Sequence, residues 1–190
     1  MLVILKKKTF GYKEQKQEDR EIFKREIASK DFASLVYLDE SGLNDNEVYQ
    51  KAWGPKGPRI YGCKSGGKKV RHSMISALQN KKIIAPFVFE GSCNRAVFEI
   101  YLQKVLLPKL AVGSVIIMDN AAFHKGGRIA TLVKNAGCSI LYLPAYSPDL
   151  NPIENWWFVI KNSICYLIST TKKSFKQCMQ SVFQSLCHVN

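Results

Sequence analysis

Two hydrophobic periods alternate along this chain. From Tyr12 to Asp31 nearly every position is polar or charged, with Ile22, Phe23 and Ile27 on one helical face, which predicts a surface helix or a linker. Ser34 to Gly42, "SLVYLDESG", predicts a short apolar strand ending in two acids and a glycine, with Asp39 at its C-terminal end. The turn signals "GPKGP" and "KSGGKK" follow, then strands at "HSMISALQ" and "IIAPFVFEG" joined as hairpins. "CNRAVFEIYLQKVLLPKL" changes to a helical period, with Val97, Tyr101, Leu102 and Val105 as its apolar stripe and Pro108 as its stop.

The second half reads as crossovers. "SVIIMDN" and "CSILYLP" are continuous apolar runs of the buried, parallel-strand type, separated by the helix "GRIATLVKNAG", which Gly137 closes. "NPIENWWFVIKNSICYLI" predicts a helix, and "SFKQCMQSVFQSLC" another with Phe175, Cys178, Val182 and Leu186 on one face. Hairpins followed by strand–helix–strand units predict an α/β protein, a mixed sheet with helices packed on it. The expected division is an N-terminal linker or helix over 1–33 and a single domain over 34–190.

Composition sharpens this. At 190 residues, 46% hydrophobic and 23% charged, the chain is long enough for a real core and excludes a disordered protein. Its net charge of +13 favours a polyanionic partner such as DNA, RNA or an anionic membrane surface, with solubility as the plain alternative. No apolar run reaches about 18 residues, which excludes a membrane-spanning helix, and in "MLVILKKK" the apolar part precedes the charges, the wrong order for a signal peptide. Six scattered cysteines without C-x-x-C spacing predict reduced thiols in a cytoplasmic protein rather than a disulfide framework or a zinc site.

Three acids occupy comparable places. Asp39 and Asp119 each end a strand, and Glu154 opens a helix just after another strand. Sites in open α/β sheets form at the carboxyl ends of strands, so the three could share one edge. Clustered carboxylates repel unless a cation lies between them, and hard oxygen ligands select Mg²⁺ or Mn²⁺. A structural explanation stands beside each: an acid after a strand caps a turn, and Asn151, Pro152 and Glu154 are spaced as a helix-capping box. His124 fits either a group that supports the acids or serves as a general acid, or else a surface or hydrogen-bonded structural histidine. Trp156 and Trp157 fit base stacking, or one core and one partly exposed aromatic.

Taken together, "VYLDESG", "IIMDNAAFHK" and "LPAYSPDLNPIENWWFVIK", with 34 residues between Asp119 and Glu154, resemble the three acidic motifs of DDE transposases of the mariner superfamily, in its bacterial insertion-sequence branch. The resemblance implies a ribonuclease-H-like fold, a five-stranded mixed sheet flanked by helices. It implies that Asp39, Asp119 and Glu154 are catalytic and bind two Mg²⁺ or Mn²⁺ ions, with Asn120, His124 and Asn151 supporting them. The implied reaction is nicking at transposon ends, followed by attack of the freed 3′-hydroxyl on target DNA. DNA is the implied partner, with a homodimer forming on synapsed ends in a bacterial, nucleoid-associated setting and no role for a membrane.

Full-length members of that family carry an N-terminal helix-turn-helix region, and none is recognisable before Lys6 or in the first 34 residues, so the chain reads as a catalytic half. The alternative is a truncated, catalytically silent DNA-binding remnant or inhibitor. From Lys51 to Lys82 there are nine Lys and Arg and no acid. Lys51, Lys56, Arg59, Lys64, Lys68, Lys69 and Arg71, with Lys161, are expected to contact phosphates, or else to form a solvated face.

Overall fold

The computed structural model describes residues 12–45, 56–57, 59, 61, 69–121, 124 and 127–187. Residues 1–11, Cys63 and His188 lie outside them. Ten elements carry the fold: α1 (Gln17–Ala28), β1 (Leu35–Asn44), β2 (Arg71–Gln79), β3 (Lys82–Glu90), α2 (Arg95–Tyr101), β4 (Val115–Met118), α3 (Gly127–Asn135), β5 (Ser139–Tyr142), α4 (Ile153–Thr170) and α5 (Phe175–Cys187). The five strands form one mixed sheet in the order β3-β2-β1-β4-β5. β1–β2 and β2–β3 pair antiparallel, while β1–β4 and β4–β5 pair parallel.

Strand alternation sorts β1 between two cores. Val36 and Leu38 join Ile75, Ala77, Ile116 and Met118 beneath Phe98 and Tyr101 of α2 and Ile129 and Val133 of α3. Leu35 faces the other way, with Val115, Ile117, Leu143 and Phe23 of α1. On that second face, Leu43, Met74, Leu78 and Ile83 pack beneath Trp157, Ile160 and Ile164 of α4 and Met179 and Phe183 of α5. The result is a sheet between two helical layers, the architecture that amphipathic helices and a two-faced sheet require to bury their apolar surfaces.

Local chemistry explains several boundaries. Asn94 caps α2 by accepting the Val97 amide at 3.0 Å. Gly137, at φ +69°, ends the chain's turn after α3, a conformation that strains residues with a Cβ. Ser174 and Gln177 form a full capping box at α5: the Ser174 amide donates to Gln177 Oε1 at 2.8 Å and the Gln177 amide to Ser174 Oγ at 3.3 Å.

Five expectations shift. β1 continues to Asn44, so Asp39 lies mid-strand rather than at a strand end. The helix after Asn94 loosens into a π turn over Leu102–Leu106, which moves its buried stripe to Phe98, Tyr101, Leu102 and Leu106 and leaves Val97 and Val105 half-buried. β5 is an edge strand, half-covered rather than buried, because among the described residues nothing pairs beyond it. On α1, Phe23 is buried but Ile22 is 56% exposed, since adjacent helical residues point about 100° apart and a single narrow stripe faces the core. On α5 the buried positions are Cys178, Met179, Val182 and Phe183, with Phe175 and Leu186 at the margin.

Candidate active site

The parallel register sets the two aspartates together. Leu35, Val36 and Tyr37 of β1 face Val115, Ile116 and Ile117 of β4, and continuing that register brings Asp39 level with Asp119. β4 ends at Met118 while β1 runs on, so Asp39 stands where its parallel neighbour stops. The segment after β5 then turns through Pro148–Leu150 into α4, and Glu154 lies in that helix's first turn. Asp39, Asp119 and Glu154 thus line one cavity of about 400 Å³, with Asn120, Asn151 and the stretch Leu143–Pro148 as its other walls. A second cavity of about 310 Å³ opens on the opposite side of the aspartate pair and is lined by Glu40, Ser41, Gly42, Arg71, Cys93 and His124.

Each aspartate has a partner. Trp157 Nε1 donates to Asp39 Oδ2 at 2.8 Å. Burial pushes the Asp39 carboxyl up to about 7, against the Glu40 amide and Trp157, which hydrogen-bond to it, and with the nearby charges of Glu154 and Asp119 adding to the rise. Asp119 meets His124, Nδ1 to Oδ1 at 2.5 Å, and accepts the Ala121 amide at 3.1 Å. The His124 hydrogen bond holds Asp119 below the usual carboxylate range, against its partial burial.

His124 is a bridge. Its Nε2 lies 3.0 Å from Glu40 Oε1, so both ring nitrogens face carboxylates. The ring is buried, 4.3 Å from the Phe98 ring centroid, and the Tyr142 hydroxyl donates to its carbonyl at 3.2 Å. Burial works against the imidazolium, but the bonds to Asp119 and Glu40 outweigh it and raise its pKa to about 9. A carboxylate at each nitrogen favours a proton on both, so the arrangement stabilises the imidazolium between Asp119 and Glu40.

The capping-box expectation at the third acid is not met. No side chain caps α4, and the Glu154 amide bonds to the Asn151 carbonyl at 3.1 Å. Asn151 is 3% exposed, and its Oδ1 is one of two buried side-chain polar atoms without a hydrogen-bond partner among the described residues, the other being the Tyr101 hydroxyl. Glu154 is exposed at the cavity wall. Among the described residues no three His, Cys, Asp or Glu side chains stand close enough to hold a metal ion. The donor set nonetheless fits a hard divalent cation: three carboxylates and an orphaned amide oxygen on one cavity, all oxygen ligands.

Of the expected phosphate contacts, Arg71 reaches the acids: it lines the Glu40 cavity, and its guanidinium lies over Gly42, 2.5 Å from where a Cβ would stand. Lys56, Arg59 and Lys69 are exposed and line neither cavity, and Lys161 is half-buried on α4, two turns beyond Glu154. Lys51, Lys64 and Lys68 lie outside the described residues. Trp157 is core and Trp156 half-buried, as one reading of the pair expects. Sequence reasoning missed Glu40 and the Trp157–Asp39 bond. The available signal for Glu40 was the adjacent acid pair in "LDES", where alternation puts neighbours on opposite faces of a strand.

Residues 34–183 match the family model described as DDE superfamily endonuclease. Among curated proteins, the transposable element Tcb1 transposase of Caenorhabditis briggsae is 29% identical over 141 residues, which is 67% of this chain and 50% of that protein. The chain thus spans about half the length of the curated relative it matches. Among solved structures, a pre-cleavage Mos1 transpososome superposes with a TM-score of 0.70 at 14% identity, covering 100% of this chain and 61% of that one. The catalytic domain of Mos1 mariner transposase gives 0.59 at 16% identity, covering 90% and 78%. The mixed sheet and its flanking helices are therefore the ribonuclease-H-like fold.

Proposed function

The chain belongs to the DDE superfamily endonuclease family, and from that membership we propose that it is the catalytic domain of a DNA transposase, cutting phosphodiester bonds at transposon ends and joining the 3′-hydroxyl to target DNA. One observation carries this reading: Asp39 on β1, Asp119 just beyond β4 and Glu154 on α4, far apart in sequence, line one cavity. The likeness to Mos1, solved with Mn and with Mg, supports divalent ions as cofactor. The motif resemblance supports the finer placement in the bacterial insertion-sequence branch.

Asp39, Asp119 and Glu154 would hold two Mg²⁺ or Mn²⁺ ions, which when bound polarise the scissile phosphate and lower the pKa of the attacking oxygen. The protein's own contribution is placement. Trp157 orients Asp39 from α4, and His124, anchored on Glu40, orients Asp119. Asn151 lines the same cavity, and its side-chain oxygen is buried there without a hydrogen-bond partner among the described residues. Arg71 at the rim and Lys161 along α4 supply positive charge for the phosphate backbone. Water attack on a phosphodiester leaves a 3′-hydroxyl and a 5′-phosphate; attack by that hydroxyl on a second phosphodiester forms the new strand bond and releases a target 3′-hydroxyl. Mos1 has been solved as a paired-end complex, and two copies of this chain are proposed to act on two ends.

Nicking of DNA carrying the element's ends, with Mg²⁺ or Mn²⁺ titrated in, tests the reading. Asp119→Asn is expected to reduce nicking by at least about a thousandfold while leaving the circular dichroism spectrum unchanged, as removal of a metal-holding charge does. Undiminished nicking by this variant would overturn the assignment, and DNA binding without nicking at any Mn²⁺ concentration would favour a silent DNA-binding protein.

A further inference from the structure

α1 lies outside the family match, which begins at residue 34. It nevertheless grips the segment that delivers the third acid. Arg20, 9% exposed, makes a two-pronged contact with Asp149: Nη1 donates to Oδ1 at 2.9 Å and Nη2 to Oδ2 at 2.6 Å. Just before the helix, Gln15 Nε2 donates to the Tyr146 carbonyl at 2.6 Å, and the Tyr12 and Tyr146 rings lie 5.9 Å apart. Phe23, one turn further along, is buried with Leu143, and Leu150 packs against the same cluster. Contacts from residues 12–23 therefore fall on both ends and the middle of the stretch 143–150.

That stretch holds an unusual backbone position and a run of short-range turns. Tyr146 sits at φ +55°, a region that residues with a Cβ seldom adopt without outside support. Its internal bonds form a staircase of turns leading to the acid: Leu150 amide to Ser147 carbonyl at 3.1 Å, Asn151 to Pro148 at 2.9 Å, Glu154 to Asn151 at 3.1 Å. Asp149 sits in the middle of that staircase, so whatever fixes Asp149 fixes the start of α4. The Arg20 side chain is largely covered while that of Asp149 is 56% exposed, so it is the two-pronged geometry, rather than burial of both charges, that fixes the carboxylate's direction.

The geometry points to α1 as a strap that holds the loop 143–152 and thereby sets where Glu154 stands, with Arg20 as its positioning residue. The inference rests on Glu154 being one of the three catalytic acids. It makes the segment before residue 34 a working part of the catalytic unit rather than a passive connection.

Amide hydrogen exchange on the full chain, paired with nicking assays, tests it. In Arg20→Gln, the amides of Leu150, Asn151 and Glu154 are expected to exchange about fivefold faster, as loss of a partly exposed two-pronged ion pair allows, while those of Ile116 and Ile117 in β4 keep wild-type protection. Nicking kcat falls by a similar factor with the KM for DNA unchanged. Asp149→Asn matches Arg20→Gln, and the double variant is no worse than either, since all three break one contact. Wild-type loop exchange in Arg20→Gln, equal loss of protection in β4, or additive effects in the double variant would each overturn the strap. A wild-type protein that nicks no DNA would instead overturn the proposed function, and the exchange data would still decide whether α1 holds the loop.

Discussion

At Asp39 burial and hydrogen bonding pull in opposite directions. Burial raises the carboxyl to about 7, and the Trp157 indole only partly offsets it. A raised acid contributes stability that is present below its unfolded value of 3.8 and lost as pH climbs through about 7. His124 has the same sign: lifted from 6.5 to about 9, its contribution is full below the former and lost through the latter. Asp119, lowered, acts oppositely, and its contribution is lost only in acid. In chelator, the melting temperature is therefore expected to fall from about pH 5 to about pH 9. Adding Mn²⁺ should raise it more at about pH 8, where the cation compensates an ionised Asp39, than at about pH 5. A melting temperature that is flat or rising across this range would contradict the placement of Asp39 and His124.

Elements show how the same local motif serves two ends. Ser174–Gln177 and Asn151–Glu154 share the spacing of a capping box. At α5 both reciprocal bonds form; at α4 neither does, and both side chains stand on the acid cavity instead. Pro152 supplies a helical backbone at φ −65°, so α4 starts without side-chain help. Ser174→Ala is expected to cost about 1 kcal/mol in urea unfolding, the usual value of a cap, whereas Asn151→Ala, which removes an acceptor that has no partner, costs less. The reverse ranking would show that Asn151 is a cap after all. Periodicity made the order and type of every element legible, because each long segment keeps one face apolar. It misplaced the stripe of α2 because the π turn after Tyr101 changes the residues per turn, and it made β5 a buried strand because an edge and an interior strand carry similar apolar runs.

For the whole molecule, charge is the dominant long-range feature. The net charge is +13, no acid follows Glu154, and Arg71 carries the positive face to the rim of the acid site. Binding to duplex DNA is expected to weaken linearly in log affinity against log salt, and Lys161→Ala should lower that slope by about 1 if Lys161 meets a phosphate. An unchanged slope would remove it from the interface. Among the described residues no helix is long and apolar enough to cross a membrane.

The amino-acid sequence by itself determined the alternation of strands and helices and the basic field, and it singled out Asp39, Asp119 and Glu154 as the candidate acids. These are properties of periods, composition and short contiguous motifs, each contained in about ten to twenty residues. Only the tertiary structure decided what the acids touch. Glu40 meets His124 across 84 positions, Asp39 meets Trp157 across 118, and Arg20 meets Asp149 across 129. Such partners are chosen by strand register and by which face of the sheet a helix covers, and these are settled only when all the layers pack together.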